Sequence, residues 1–387
     1  MVAEGLDSTM RVAVKTVDDP TVQGPPPSRF GKFARAQFAD RQLWKLQKSP
    51  RKTWRSPARF STITADEINR SPYDVINLHW VTDGFLSIKE IGKVEKPIVW
   101  SLYDMWPFAG TEHYGADEPN ARWRWSYTKA NRPTDESGFD LDRSTWELKS
   151  QLWTRPMTIV PASSWLEESV KGSSLMRHWP ITRIPHVVDC DVFAPMDMNE
   201  ARTKLGLPLG VPLILFLASA GIHDQRKGWD LLDEALVQVR ASVPDIEVVI
   251  VGPPSPGYES TSGAKIHWRG SINGNESLRL HYCAADLTAV PSREDNMPLT
   301  AMEAQSCGRP VIAFSVGGLP EIVDHAVSGF LAKPFDSALF AQSILNALLH
   351  IESGEGLEQH ARERALKTWS ARVVPAEYLS MYPKVTS

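Results

Sequence analysis

A chain of 387 residues with 42% apolar residues is long enough for two domains, each able to bury its own core. The formal net charge of −4 makes no overall case for nucleic-acid binding, and none is expected. Cys190, Cys283 and Cys307 stand apart without a C-x-x-C pair, which argues against a disulfide framework or thiolate zinc site and for a reducing, cytoplasmic setting.

No secretory signal opens the chain. From Arg29 to Arg59 the charge balance shifts: Arg29, Lys32, Arg35, Arg41, Lys45, Lys48, Arg51, Lys52, Arg55 and Arg59 face only Asp40. Phe30, Phe33, Phe38, Leu43, Trp44 and Leu46 are interleaved, as in a basic amphipathic surface segment suited to an anionic membrane. A solvated helix packed by its aromatics, or an RNA-binding patch, would have the same composition. YDVINLHW, KPIVWSL and PMTIVPAS then read as strands separated by helical or irregular stretches, which argues for a parallel sheet. The loop from Ser101 to Tyr114 gathers Tyr103, Asp104, Trp106 and His113, with His79 at the end of the preceding strand. A lone histidine at a strand end is usually structural; the grouping brings the functional and structural readings level.

RIPHVVDCDVFAPMD, from Arg183 to Asp197, has no helical period and reads as a linker. VPLILFLAS, IEVVIVG, KIHWRG, CAADLTAV, RPVIAF and GFLAK follow as strands of a second unit, and the longest apolar run, from Val211, is too short to span a bilayer. Arg226 and Lys227 precede a helix marked by Leu231, Leu232, Ala235 and Leu236. Their charge suits a diphosphate, yet by themselves they read better as two solvated cations at a helix start, the phosphate reading prevailing only beside the Asp295–Glu303 motif, and adjacent side chains are expected to point apart. PSREDNMPLTAMEAQSCG places Asp295 on a loop and Glu303, after seven intervening residues, on a helix with Pro298 in its first turn and Gly308 past its end. Both carboxylates should face one crevice beside the free N–H groups of the helix start, an arrangement suited to a sugar nucleotide. No histidine grouping has metal-ligand spacing, so no metal is expected.

The span from Pro291 to Val323 resembles the donor-binding signature of the retaining family 4 glycosyltransferases, and the likeness runs from about Tyr73 to the C-terminus. It implies an α/β GT-B fold of two facing Rossmann-like domains with parallel sheets. Residues 1–185 would form the acceptor domain, 186–367 the nucleotide-sugar donor domain, and 368–387 terminal helices crossing back to the first. The resemblance further implies that Asp295 holds sugar hydroxyls, that Glu303 holds the ribose, and that Lys227, followed by Gly228, neutralises the departing diphosphate. An arginine common six residues before that lysine is Gly221 here, with Arg226 as its substitute. Arg269 and Gly270 fall where backbone groups wrap the nucleobase, and Glu294, Asn296, Met297, Pro298 and Leu299 complete the donor turn, Pro298 having no N–H to offer. Gly317, Gly318 and Glu321 are explained equally well by a turn and a helix cap. In the first domain Tyr103 stands where relatives carry a histidine before Asp-Met-Trp, retaining a hydrogen-bond donor but no imidazole. Asp104 shares its catalytic loop, and His79, Trp106 and His113 lie on the acceptor side. Relatives open with a strand, a glycine-rich loop and a helix. GLDSTMRVAVKTVDDP resembles the segment that comes after that helix, so the first domain is expected to lack its first strand and helix.

The function so implied is transfer of a sugar, with retention, from a UDP- or GDP-sugar to a glycan or lipid-linked hydroxyl acceptor during cell-surface polysaccharide assembly. No cofactor is expected, and the setting is the cytoplasm or, through residues 29–59, the inner face of the plasma membrane. Tyr103, Gly221 and the altered start support a rival, a non-catalytic sugar-nucleotide-binding homologue or assembly subunit. An epimerase or phosphorylase of the same fold would need acid and base groups around the sugar or a lysine-bound cofactor, and neither pattern is present.

Overall fold

The computed structural model describes residues 5–51 and 53–386, with side chains to residue 382. Lys52 of the basic segment lies outside the described residues. Two compact units are present, Met1–Ile184 with Pro375–Ser387, and Pro185–Val374.

In the first unit, β1 (Ile76–Leu78), β2 (Ile98–Leu102) and β3 (Thr158–Pro161) form a parallel sheet in that spatial order. The central strand β2, IVWSL, is buried at every position, as expected of a strand covered on both faces. Its surroundings are aromatic: Trp100, Trp106, Trp123 and Trp153 share one core, with Trp100 meeting Trp153 edge to face at 5.3 Å.

Helix α1 (Pro27–Leu43) starts with proline, whose missing N–H is not needed there, and buries Phe33, Ala36 and Asp40 on one face. Phe30 and Phe38 point outward, 61% and 65% exposed. Burial pushes the Asp40 carboxyl up to about 6, against hydrogen bonds from backbone N–H groups that include Arg59 at 2.9 Å. The expected basic surface does not extend to the end of its segment. Arg55 is only 7% exposed and lies 2.7 Å from Asp142, while Arg59 donates to Ser144 at 2.8 Å. Both partners belong to α2 (Leu141–Leu152), far away in sequence, and a buried guanidinium persists only when paired. Deeper on α2, the fully buried Lys149 donates to the carbonyls of Trp106, Ala109 and Gly110 and lies 4.0 Å from the Trp106 ring centre.

The second unit is one six-stranded parallel sheet: β4 (Leu213–Leu217), β5 (Glu247–Val251), β6 (Lys265–Trp268), β7 (Leu287–Val290), β8 (Val311–Phe314) and β9 (Gly329–Ala332), in spatial order β6-β5-β4-β7-β8-β9. The chain winds outward from β4 to β6, returns to β7 beside β4, and winds outward the other way. The reversal leaves a crevice beyond the carboxyl ends of β4 and β7, where sheets of this order take their ligands. Helix α3 (Trp229–Ser242) follows the β4 loop, α4 (Asn275–Ala284) precedes β7, and α5 (Leu299–Ser306) follows the β7 loop. The α3 residues Leu232, Ala235 and Leu236 pack with Phe216 and Ile250 of the sheet. The last helix, α6 (Val374–Thr386), packs within the first unit, where Tyr378 bonds Ser101 at 2.9 Å and Tyr382 accepts from Asn77 at 3.0 Å.

Candidate functional site

The loops after β4 and β7 are stitched together at the switch point. Residues Gln225–Lys227 form a single 3₁₀ turn capped by Asp224 and ended by Gly228 at φ 71°. A side chain at Gly228 would overlap the Pro291 carbonyl, so glycine is required both for the backbone angle and for the close approach of the loops. Arg293 adds three ties: its N–H reaches the Arg226 carbonyl at 2.8 Å, and its guanidinium reaches the Gln225 carbonyl at 2.7 Å and Asp230.

Against the expectation for neighbouring residues, Arg226 and Lys227 converge. Lys227 Nζ lies 2.8 Å, and Arg226 Nη1 3.3 Å, from the same oxygen of Asp295. The tight turn projects both long chains toward the β7 loop, and the buried carboxylate draws them together. Ser292 donates to that oxygen as well, at 3.1 Å. Burial alone would push the Asp295 carboxyl up, but Lys227, Arg226 and Ser292 more than offset it and hold it below its ordinary value. Arg226 also lies 3.7 Å from Asp224, so two cations and two carboxylates gather beside the starts of α3 and α5.

Pro298 is the cap of α5 rather than part of its first turn; the helix begins at Leu299. Asn296, Met297 and Pro298 are buried, whereas Glu294 and Leu299 are exposed. Gly317, at φ 55°, has no room for a side chain against the Asp295 carbonyl, and Gly318 N–H donates to that carbonyl at 3.2 Å. These two glycines therefore clamp the turn that carries Asp295 from the β8 side. Glu321 lies in the short helix Leu319–Ile322, and its carbonyl accepts from Arg364. Glu303 accepts a 2.8 Å hydrogen bond from Tyr282 of α4. Burial pushes its carboxyl up to about 7, against that hydrogen bond. Arg269 and Gly270 continue β6, two strands out from β4; Arg269 N–H donates to the Ile250 carbonyl at 2.9 Å.

In the first unit Asp104, Trp106 and His113 come together around a residue the sequence did not point to, Ser56. His113 Nδ1 lies 2.6 Å from Asp104, its Nε2 2.8 Å from Ser56 Oγ, and Trp106 Nε1 donates to the Ser56 carbonyl at 2.7 Å. With the proton on Nδ1 toward the carboxylate, Nε2 accepts from the serine hydroxyl, so both nitrogens are engaged. His79 instead pairs with Tyr103, Nδ1 to hydroxyl, at 3.1 Å, and burial lowers its pKa. Ser292, Tyr282 and Ser56 went unnoticed because a serine or tyrosine gains its role from a partner, and only Ser292 lies near its own in sequence. Among the described residues no group of three or more His, Cys, Asp or Glu could hold a metal ion.

Residues 211–350 match the family described as glycosyl transferases group 1. The D-inositol 3-phosphate glycosyltransferase 1 of Catenulispora acidiphila is 34% identical over 177 residues, 42% of this chain and 41% of that protein. That of Acidothermus cellulolyticus is 29% identical over 322 residues, 76% of this chain and 65% of that protein. The chain spans about two-fifths of the length of the first curated relatives it matches. Among solved structures, sucrose-phosphate synthase from Thermosynechococcus elongatus superposes with a TM-score of 0.61 at 19% identity, covering 95% of this chain and 81% of that one. Anabaena HepE in complex with UDP-glucose gives 0.59 at 16% identity, covering 83% and 82%. The parallel α/β sheet with its cation–carboxylate cluster at the switch point lies inside the segment that matches the group 1 glycosyl transferases, and the fold is that of the GT-B glycosyltransferases.

Proposed function

We propose that this chain transfers a sugar, with retention, from a nucleotide diphosphate sugar to a hydroxyl acceptor in glycan or polysaccharide assembly. The observation that carries the reading is the convergence of Lys227 and Arg226 on Asp295 at the switch point. When the donor arrives, its diphosphate takes these cations, which then stabilise the negative charge developing on the leaving group. Asp295 is freed to accept hydrogen bonds from the sugar, and Glu303, held by Tyr282, accepts them from the ribose. The bond from the anomeric carbon to the diphosphate oxygen breaks as the acceptor oxygen bonds that carbon on the same face. The acceptor's proton passes to the departing diphosphate, so no separate base is required.

The HepE structure holds UDP-glucose, which makes UDP the first nucleotide to try. Calorimetric titration with UDP and with GDP, repeated on Glu303→Ala, tests the donor site. Binding of one nucleotide, weakened by the substitution, supports it; no binding by a folded chain overturns it. Tyr103 motivates the rival of a non-catalytic sugar-nucleotide-binding homologue, and release of free UDP or GDP from its sugar conjugate by the purified chain would rule that out.

An anionic membrane surface is the partner proposed for α1. No helix among the described residues is long and apolar enough to cross a membrane. The support is an outward face on which Phe30 and Phe38 stand with the exposed Lys32 and Arg35, Arg41 being paired with Asp83 at 2.9 Å. Co-sedimentation with phosphatidylglycerol vesicles but not phosphatidylcholine vesicles, lost in Phe30→Ser/Phe38→Ser, is expected; equal sedimentation of the two proteins would refute it.

A further inference from the structure

Asp233 lies one turn inside α3, is 2% exposed, and binds the loop that joins β5 to β6. One carboxylate oxygen accepts from the Tyr258 hydroxyl and the Thr261 N–H, each at 2.8 Å. The other accepts from the Ser260 and Ser262 hydroxyls and from the Ser262 N–H. Burial would push this carboxyl up, but these donors more than offset it and hold it below its ordinary value. The loop, residues 252–264, contains no helix or strand, and a connection of that length usually serves a binding site. It packs Tyr258 against the core, whereas Pro253, Pro254 and Pro256 are exposed. With so few apolar contacts of its own, the loop takes its place from the buried carboxylate.

The loop held in this way braces the one beside it. Tyr258 accepts from Trp229 Nε1 at 2.7 Å, and Trp229 directly follows the Gly228 that ends the Gln225–Lys227 turn. Ser255 Oγ and His223 Nε2 are 3.1 Å apart, and a side chain at Gly221 would lie 3.4 Å from the Pro253 carbonyl. The segment that carries Arg226 and Lys227 is therefore fastened to the β7 loop through Arg293 and to the β5 loop through Tyr258 and Ser255. We propose that Asp233 is a positioning residue of the donor site: by pinning the β5 loop it holds the Gln225–Lys227 turn in place for a diphosphate. The inference deepens the glycosyltransferase reading and rests on it. Asp233 meets no reacting atom; its effect runs through Tyr258 and Trp229 to two cations that must come within hydrogen-bond reach of phosphate oxygens. A turn left to drift would have to be ordered at the moment of binding, and that cost falls on the diphosphate rather than on the nucleoside.

The test compares nucleoside diphosphate with nucleoside on the full chain: UDP and GDP by calorimetry, uridine and guanosine by saturation-transfer difference NMR. Asp233→Asn keeps the shape but replaces one accepting oxygen with an amide that donates. It should weaken the preferred nucleoside diphosphate about tenfold and its nucleoside no more than about threefold. Tyr258→Phe keeps the ring, leaves Asp233 its serine and threonine donors, and cuts the link to Trp229. It should weaken the diphosphate about threefold and leave the nucleoside unchanged. Thermal unfolding of the same samples restricts the comparison to folded protein, and if Asp233→Asn does not fold, Tyr258→Phe decides. A purely architectural aspartate would shift unfolding and leave the two ligands in their original ratio. Unchanged UDP or GDP affinity in a folded variant, or equal losses for nucleoside and nucleoside diphosphate, would overturn the positioning role while the donor reading stands. An unsubstituted chain that binds neither nucleotide would overturn the donor reading itself, and this inference with it.

Discussion

Lys149 in the first unit and Lys227 in the second are both held by oxygen atoms, in opposite settings. Lys149 is fully buried, fastened to three carbonyls of the loop that carries Trp106, and surrounded by the Arg55–Asp142 pair and Glu112. Lys227 lies at strand ends, and the cation beside it, Arg226, keeps 31% of its side chain exposed. The charge of Lys149 is walled off and shapes a loop; that of Lys227 and Arg226 stays within reach of solvent and can change partner. The difference teaches that an ion pair counts toward ligand binding when the fold leaves one side of it open, since full burial ties charge to scaffolding.

The strongest way to break the comparison is Lys149→Met, which keeps the apolar stem but leaves three carbonyls unmet. A loss of about 3–5 kcal/mol in denaturant unfolding of the first unit is expected, with UDP or GDP binding retained by the second. An unchanged unfolding midpoint would mean that the carbonyl clamp contributes nothing. Gly228→Ala attacks the other region, forcing a left-handed angle and a clash with Pro291. About 2–3 kcal/mol of stability should be lost and nucleotide affinity should fall at least tenfold. Lys227→Ala should separate binding from folding, because Asp295 keeps Arg226 and Ser292. Nucleotide affinity should drop about 10–100-fold by calorimetry, with the unfolding midpoint shifted by less than the equivalent of about 1 kcal/mol.

A pH titration sharpens the picture further. The Glu303 pKa is raised to about 7, so its carboxylate is lost as pH falls through that value, and nucleotide affinity should decline from about pH 8 to about pH 6. The Tyr282 hydrogen bond favours the ionised form; Tyr282→Phe should therefore move the midpoint of that decline upward, where a merely structural tyrosine would leave it in place. Ser56→Ala carries the smallest effect. It removes one hydrogen bond from His113 and should cost about 1 kcal/mol while leaving nucleotide binding unaltered.

Much of the second unit was legible because its signals are local. Five apolar residues in a row at Leu213–Leu217 make a strand buried on both faces, and the spacing of Leu232, Ala235 and Leu236 makes the following helix. Asp295 and Glu303 could be picked out by their spacing across a loop and a helix start, and Lys227 gained its reading only beside them. The basic segment was harder: ten cations in sequence order cannot reveal that Arg55 turns inward to Asp142 while Lys32 and Arg35 stay outside.

The sequence by itself determined the strands, the helix starts and the residue types at the ends of β4 and β7, since hydrophobic period, proline position and glycine placement act within a few residues. Tertiary structure alone decided which groups share a proton or a charge. Ser56 meets His113, Tyr282 meets Glu303, Lys149 meets the Trp106 loop, and Trp80 meets the His113 ring. Hydrogen bonds and ion pairs act over about 3–4 Å of space, regardless of how many residues of chain lie between the partners.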